Sequence, residues 1–349
     1  MKKRIAIVLL LVLGLSALAG CTPKANDDGP KELVVSIWGY NEDKLRENVF
    51  APFEEANNVK IVLETGNNSD RLTKLKNNPN SGVDVIYLAE SFAQEGIEAD
   101  LFEKIDYAKI PNSEKINAKA KYTIDRGYGP AYTMNRAAIC YDPSKIDFEI
   151  KSWADLWKPE LKGKVSIPEL STTFGPSVMY LASAKAGVDI TTDNGTAAFA
   201  ELKNLKPNLV KTYTKSSDLA NMFANGEVVA AITADFAFGR IKGNVENAVF
   251  VDPTEGAYVN FNTVNIVKSS DNKELAYKFI DFLLSKEVQE KNAKSIGETP
   301  INTDVVLTAD EVGSMTYGEI VDKANTVDHQ FVNGAKANWV DTWNQTLNQ

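Results

Sequence analysis

Residues 152–175 read SWADLWKPELKGKVSIPELSTTFG, and this stretch holds one complete structural unit. Ser152 can cap a short helical segment over 153–157. Lys158-Pro159 stops it, because a residue before proline is pushed out of the helical region. Gly163 then releases the chain into an apolar strand over 165–167. Pro168 to Gly175 form a loop rich in hydroxyls, and an apolar helical pattern follows over 178–186. A strand, a Ser/Thr/Gly loop and a helix start leave backbone N–H groups pointing outward, which favours an anion. Ser171, Thr172 and Thr173 are therefore candidate ligand-binding residues.

The same alternation runs through the rest of the chain. Strands are expected over 33–38, 59–64 and 83–88. Helices are expected over 43–57, with a kink or break at Pro52, and after the turn Gly66-Asn67-Asn68, opened by Ser69 or Asp70. A β-α-β-α-β order implies a parallel sheet, and such sheets bind ligands beyond the C-terminal ends of their strands. Three loops fall at those ends: Trp38-Gly39-Tyr40, a loop holding Asn68 and Ser69, and one holding Glu90 and Ser91. They are expected side by side on one rim. A second alternating unit runs from about 135 to 261, and extended segments over 128–139 and 259–267 can cross between units. The fold class is thus α/β in two lobes, lobe 1 over 31–133 and 263–303, lobe 2 over 134–262 and 304–349. Two lobes joined by more than one strand permit a hinge and a cleft.

The chain opens Lys2-Lys3-Arg4, followed by an apolar run to Leu15 and then Leu18-Ala19-Gly20-Cys21. A basic start, a short apolar run and small residues before a cleavage point make a secretory signal over 1–20. Leu-Ala-Gly-Cys is the lipobox pattern, so Cys21 is expected to carry lipid, with 21–30 as a flexible linker to a membrane anchor on the bacterial surface or the periplasmic face. The 349-residue chain has 38 basic and 47 acidic residues, a net charge of -9. Losing the leader, with its three cations and no acid, takes the mature chain near -12. Such acidity argues against nucleic-acid binding. With Cys21 lipidated, Cys140 has no intrachain partner, and its apolar strand makes it a buried hydrophobe.

These segments resemble the substrate-binding proteins of ABC importers, specifically the spermidine/putrescine-binding branch. The similar stretches are SWADLWKPELKGK at 152–164, DVIYLAESFAQEGIEADLFEKID at 84–106, KFIDFLLSKEVQEKNAKSIGETPIN at 278–302, and residues 333–347 with Trp339 and Trp343. The resemblance implies a two-lobed, type II periplasmic-binding fold, hinge closure on a small charged organic ligand, delivery to ABC permease subunits, and a monomer. No cofactor or metal is expected: an iron-binding member of the wider fold class would want a tyrosine pair near the end of lobe 2, where Tyr213 and Tyr258 are isolated.

In polyamine-binding relatives, amines are held by carboxylates and sandwiched between aromatic rings. Trp38 and Tyr40 match the aromatic pair after the first strand. Elsewhere the chain departs: Asn262 stands where the family carries a carboxylate, Thr233 where it carries a cleft tryptophan, and hydroxyls at 171–173 where it has an acidic loop. Arg136 on the first crossing could supply a positive fork, and Asp235 or Glu90 could hold an amine. A polyamine by resemblance and an organic anion or zwitterion by pocket chemistry both remain open. Two further readings are a hydrolase pairing Glu90 with Asp235, and an adhesin using the cleft only as scaffold. With His329 as the single histidine, no His-based triad or multi-histidine metal site forms.

Overall fold

The computed structural model describes residues 30–347, so the leader and the lipidation position Cys21 lie outside the described residues. Strand β1, Lys31–Ile37, pairs in parallel with β2, Val59–Thr65, and with β3, Val85–Ala89. All five residues of β3 are buried, as expected of a parallel strand covered on both faces. The helix expected over 43–57 is broken. A turn at Glu42–Leu45 and a π-helical turn at Arg46–Phe50 lead into the helix Ala51–Asn57, which carries Pro52 in its first turn. Proline lacks an N–H, so the preceding turn widens to absorb the lost bond.

Two long strands cross the molecule: β4, Ala131–Tyr141, and β9, Tyr258–Ile266. They pair antiparallel along most of their length, and β9 also pairs antiparallel with β3. Gly129 stands just before β4, where a Cβ would lie 2.1 Å from the carbonyl oxygen of Val264, so no other residue fits that approach. Beyond β4 the second unit adds β5, Val165–Pro168, β6, Leu209–Tyr213, and β7, Ala230–Ala234. The strand order is β2-β1-β3-β9-β4-β7-β5-β6, and β8, Val249–Val251, and β10, Thr299–Pro300, also pair with β4.

Two main hydrophobic cores divide along the crossing strands. Up to Met134, β4 packs with β1, β3, Phe50, Phe53 and Phe279. From Ala137 it packs with Val165, Ile167, Trp339 and Trp343. On β9 the change comes between Tyr258 and Val259. The segment after 303 serves both cores: Val321 and Ala324 join the first, whereas the final helix His329–Leu347 buries Trp339 and Trp343 in the second. Cys140 is fully buried. The turn expected at Ser152 is a 3-10 segment, Trp153–Trp157, closed by a reciprocal cap between Ser152 and Asp155.

Candidate functional site

A cavity of about 760 Å³ lies where the packing changes hands. One wall comes from the end of β1 and its neighbours: Trp38, Tyr40, Tyr87, Tyr132 and Glu298. The facing wall holds Thr173, Phe174, Lys215, Phe236 and Arg240. The floor is asparagine: Asn135 from β4, Asn260 and Asn262 from β9. Tyr40 and Phe236 are 61% and 58% exposed, so each wall presents a ring that no protein contact has claimed.

The aromatic wall is held rigidly. Trp38 meets Tyr87 edge-on at 6.4 Å between centroids, and Tyr87 meets Tyr132 at 4.8 Å. The buried Arg71 guanidinium lies 5.1 Å from the Trp38 ring centroid, while its Nε and Nη1 donate to the carbonyls of Gly66 and Ser36. The indole is therefore fixed by a cation tied to the backbone of β1 and of the turn after β2.

Glu298 is the acid on this wall. Burial raises its pKa to about 7, opposed by the hydrogen bond that Asn292 Nδ2 donates to its Oε2 at 2.9 Å. No cation among the described residues pairs with it. On the floor, Asn260 Nδ2 donates to Asn262 Oδ1 at 3.1 Å, and Asn262 Nδ2 donates to Asn135 Oδ1 at 2.8 Å. This chain of amides leaves Asn260 Oδ1 buried with no partner among the described residues. An unpaired acid and an unpaired acceptor, walled by aromatic rings, suit a ligand that brings N–H donors and positive charge.

Five of the residues expected from sequence line this cavity: Trp38, Tyr40, Asn68, Thr173 and Asn262. The others lie elsewhere, each for a definable reason. In β4, side chains alternate, so Asn135 faces the cavity and Arg136 faces away. Arg136 is buried and forks onto Asp252 at 2.5 and 3.0 Å, with Nη1 donating to the Ser314 carbonyl. Asp235 belongs to the same knot, accepting from Thr316 Oγ1 and the Arg136 amide; burial raises its pKa to about 6. Glu90 is wholly buried and meets His329 Nε2 at 3.1 Å. Glu90 and Asp235 thus share no cleft, which removes the paired-carboxylate hydrolase.

Asn67, rather than Ser69 or Asp70, caps the helix Asn68–Asn77, and Ser69 is exposed on its first turn. Asn68 Oδ1 accepts from the Ala89 amide, which draws that helix start to the end of β3. The hydroxyl loop folds on itself: Thr172 Oγ1 donates to the Glu169 carbonyl, and a Cβ on Gly175 would lie 2.3 Å from that same oxygen. Ser91, Ser171 and Thr172 consequently border a separate hollow of about 20 Å³, room for one water at most. Sequence reasoning missed Glu298, Asn135, Asn260, Lys215 and Arg240. The period-two spacing of asparagines on β9 was the available signal for the floor.

The family model for bacterial extracellular solute-binding proteins matches residues 48–316. The spermidine/putrescine-binding periplasmic protein of Escherichia coli K12 is 27% identical over 299 residues, covering 82% of each chain. The major ferric iron-binding protein of Neisseria meningitidis is 28% identical over 307 residues, covering 84% of this chain and 86% of that one. A crystal structure of an ABC transporter from Clostridium perfringens ATCC 13124 is 57% identical with a TM-score of 0.85, covering 90% of this chain and 99% of that one. These matches carry transporter binding proteins rather than enzymes, and with the two cores flanking one cavity they establish the two-lobed type II fold. The chain belongs to the bacterial extracellular solute-binding proteins, the substrate-binding components of ABC transporters.

Proposed function

We propose that this protein captures a small organic solute bearing a protonated nitrogen and passes it to an ABC permease. The observation that carries the reading is Glu298, an acid without a cation partner on an aromatic wall, beside the unpartnered Asn260 Oδ1. The likeness to spermidine/putrescine-binding relatives supports it. Capture proceeds by closure about β4 and β9, with the hinge at Asn135–Arg136 and Tyr258–Val259, where the packing partner changes. Lobe 1 then comprises 31–133 with 263–303, and lobe 2 comprises 134–262 with the final helix.

The test is isothermal titration of the purified protein with butylamine, putrescine, spermidine and 4-aminobutyrate, each repeated on Glu298→Gln. At least one amine binds, and the variant weakens it tenfold or more. If no amine binds, or the variant binds equally well, the reading is wrong. The iron-binding relative suggests ferric ion as the rival cargo. Burial pushes the Tyr87 and Tyr132 phenols well above their usual range, which opposes the phenolate form that iron prefers. The protein is further proposed to be a lipid-anchored monomer on the outer face of the membrane. Cys21→Ala then abolishes labelling by palmitate and releases the protein to the medium or periplasm.

A further inference from the structure

The two walls of the cavity carry opposite charge. Glu298 lies on the first-lobe wall, and Lys215 and Arg240 lie on the second-lobe wall. Both cations are exposed, and neither has an ion pair or side-chain hydrogen bond among the described residues. Lys215 directly precedes the helix Ser216–Ala224, which has no side-chain cap and places Ser216 and Ser217 on the cavity. The N–H groups of Ser216 and Ser217 at that helix start add to the positive field of the two side chains, opposed by the exposed Asp218 in the same turn.

A diamine held by Glu298 would carry its second ammonium toward Lys215 and Arg240, a like-charge contact in a partly desolvated space. An anionic group at that end turns repulsion into attraction. We propose that the ligand is bipolar, with its nitrogen at Glu298 and a carboxylate, phosphonate or phosphate between Lys215 and Arg240. Arginine forks onto such oxyanions at two points, and lysine adds a mobile point charge. This inference rests on the amine reading of Glu298.

The experiment is isothermal titration of the wild-type protein and a Lys215→Ala/Arg240→Ala double variant with length-matched probes. These are putrescine, 4-aminobutyrate, 3-aminopropylphosphonate and propylphosphonate. At least one of the two amino acids binds tenfold or more tightly than putrescine, and the double variant lowers that preference at least tenfold. The comparison of carboxylate with phosphonate identifies the oxyanion. Tighter binding of putrescine than of both zwitterions, or an unchanged preference in the double variant, overturns the bipolar ligand and leaves the amine reading standing. Propylphosphonate binding as tightly as the aminophosphonate, and equally in Glu298→Gln, removes the amine reading and the bipolar ligand with it. Failure of every probe to bind overturns the bipolar ligand, and the amine reading falls with it when butylamine and spermidine also fail.

Discussion

Replacing Glu298 by glutamine removes an acid that the cavity solvates poorly. Burial sets its pKa at about 7, whereas an ordinary glutamate ionises near roughly 4.3. Between those values the folded protein keeps a proton that the unfolded chain has lost. The unfolded state binds fewer protons there, so stability falls as pH rises from about 4 to about 7. At roughly 1.4 kcal/mol for each pH unit separating the two values, the ionised acid costs at most about 4 kcal/mol above pH 7. Its partial exposure to the cavity brings this to about 2 kcal/mol. The assay is urea unfolding of ligand-free protein, followed by tryptophan fluorescence near pH 5 and near pH 8. Glu298→Gln is expected to match the wild type within about 0.5 kcal/mol at the lower pH and to exceed it by about 2 kcal/mol at the higher. Asp235 titrates in both proteins with its pKa raised to about 6, so its contribution cancels in the difference. Equal pH dependence in the two proteins would refute the placement of Glu298 as a desolvated acid. The same titration appears in binding: amine affinity drops as pH falls below about 7 in the wild type and stays flat in the variant.

Arg136→Ala breaks the fork onto Asp252 and leaves Asp235 buried without its cation, which should cost about 3–5 kcal/mol. Calorimetry should show a melting temperature lower by several degrees. Unchanged melting with lost ligand binding would return Arg136 to the cavity. Asn260→Leu removes the unpartnered acceptor from the floor and should weaken amine binding about tenfold with only a small change in melting. Wild-type affinity in that variant excludes the floor from recognition. Burial pushes the Cys140 thiol up to about 12, so a disulfide reagent near pH 8 should modify it only as the protein unfolds. Modification of the native protein at the rate of a free thiol contradicts its burial.

The strands and crossings were legible because buried strands leave apolar runs between turn residues: 33–38, 59–64 and 83–88 became β1, β2 and β3 with shifts of one or two residues at their ends. The cap at Ser152 and the buried Cys140 followed from equally local chemistry. The site was harder. Arg136 and Asn135 are adjacent in sequence, and only the register of β4 decides which of them meets the cavity. Glu90 carries charge and follows a strand end, yet the helix Glu90–Glu98 begins at once and turns it under His329. Glu298 follows the helix Lys286–Ile296 in a stretch with no periodic signal, and the path of the chain into β10 brings it to the wall. Hydroxyls at 171 and 172 suggested a binding loop, but a short loop spends its polar groups on its own carbonyls.

Alternation along β4 has an evolutionary consequence. At the centre of the strand Asn135 faces the cavity, while its neighbour Arg136 holds the knot that fastens the helix Asp235–Asn244 and the segment near Ser314. On the proposed site, mutations at Asn135, Asn260 or Asn262 are expected to alter cargo preference while the Arg136 knot stays intact. A lineage could pass from one nutrient to another through single changes on that inward-facing row, without an intermediate that fails to fold.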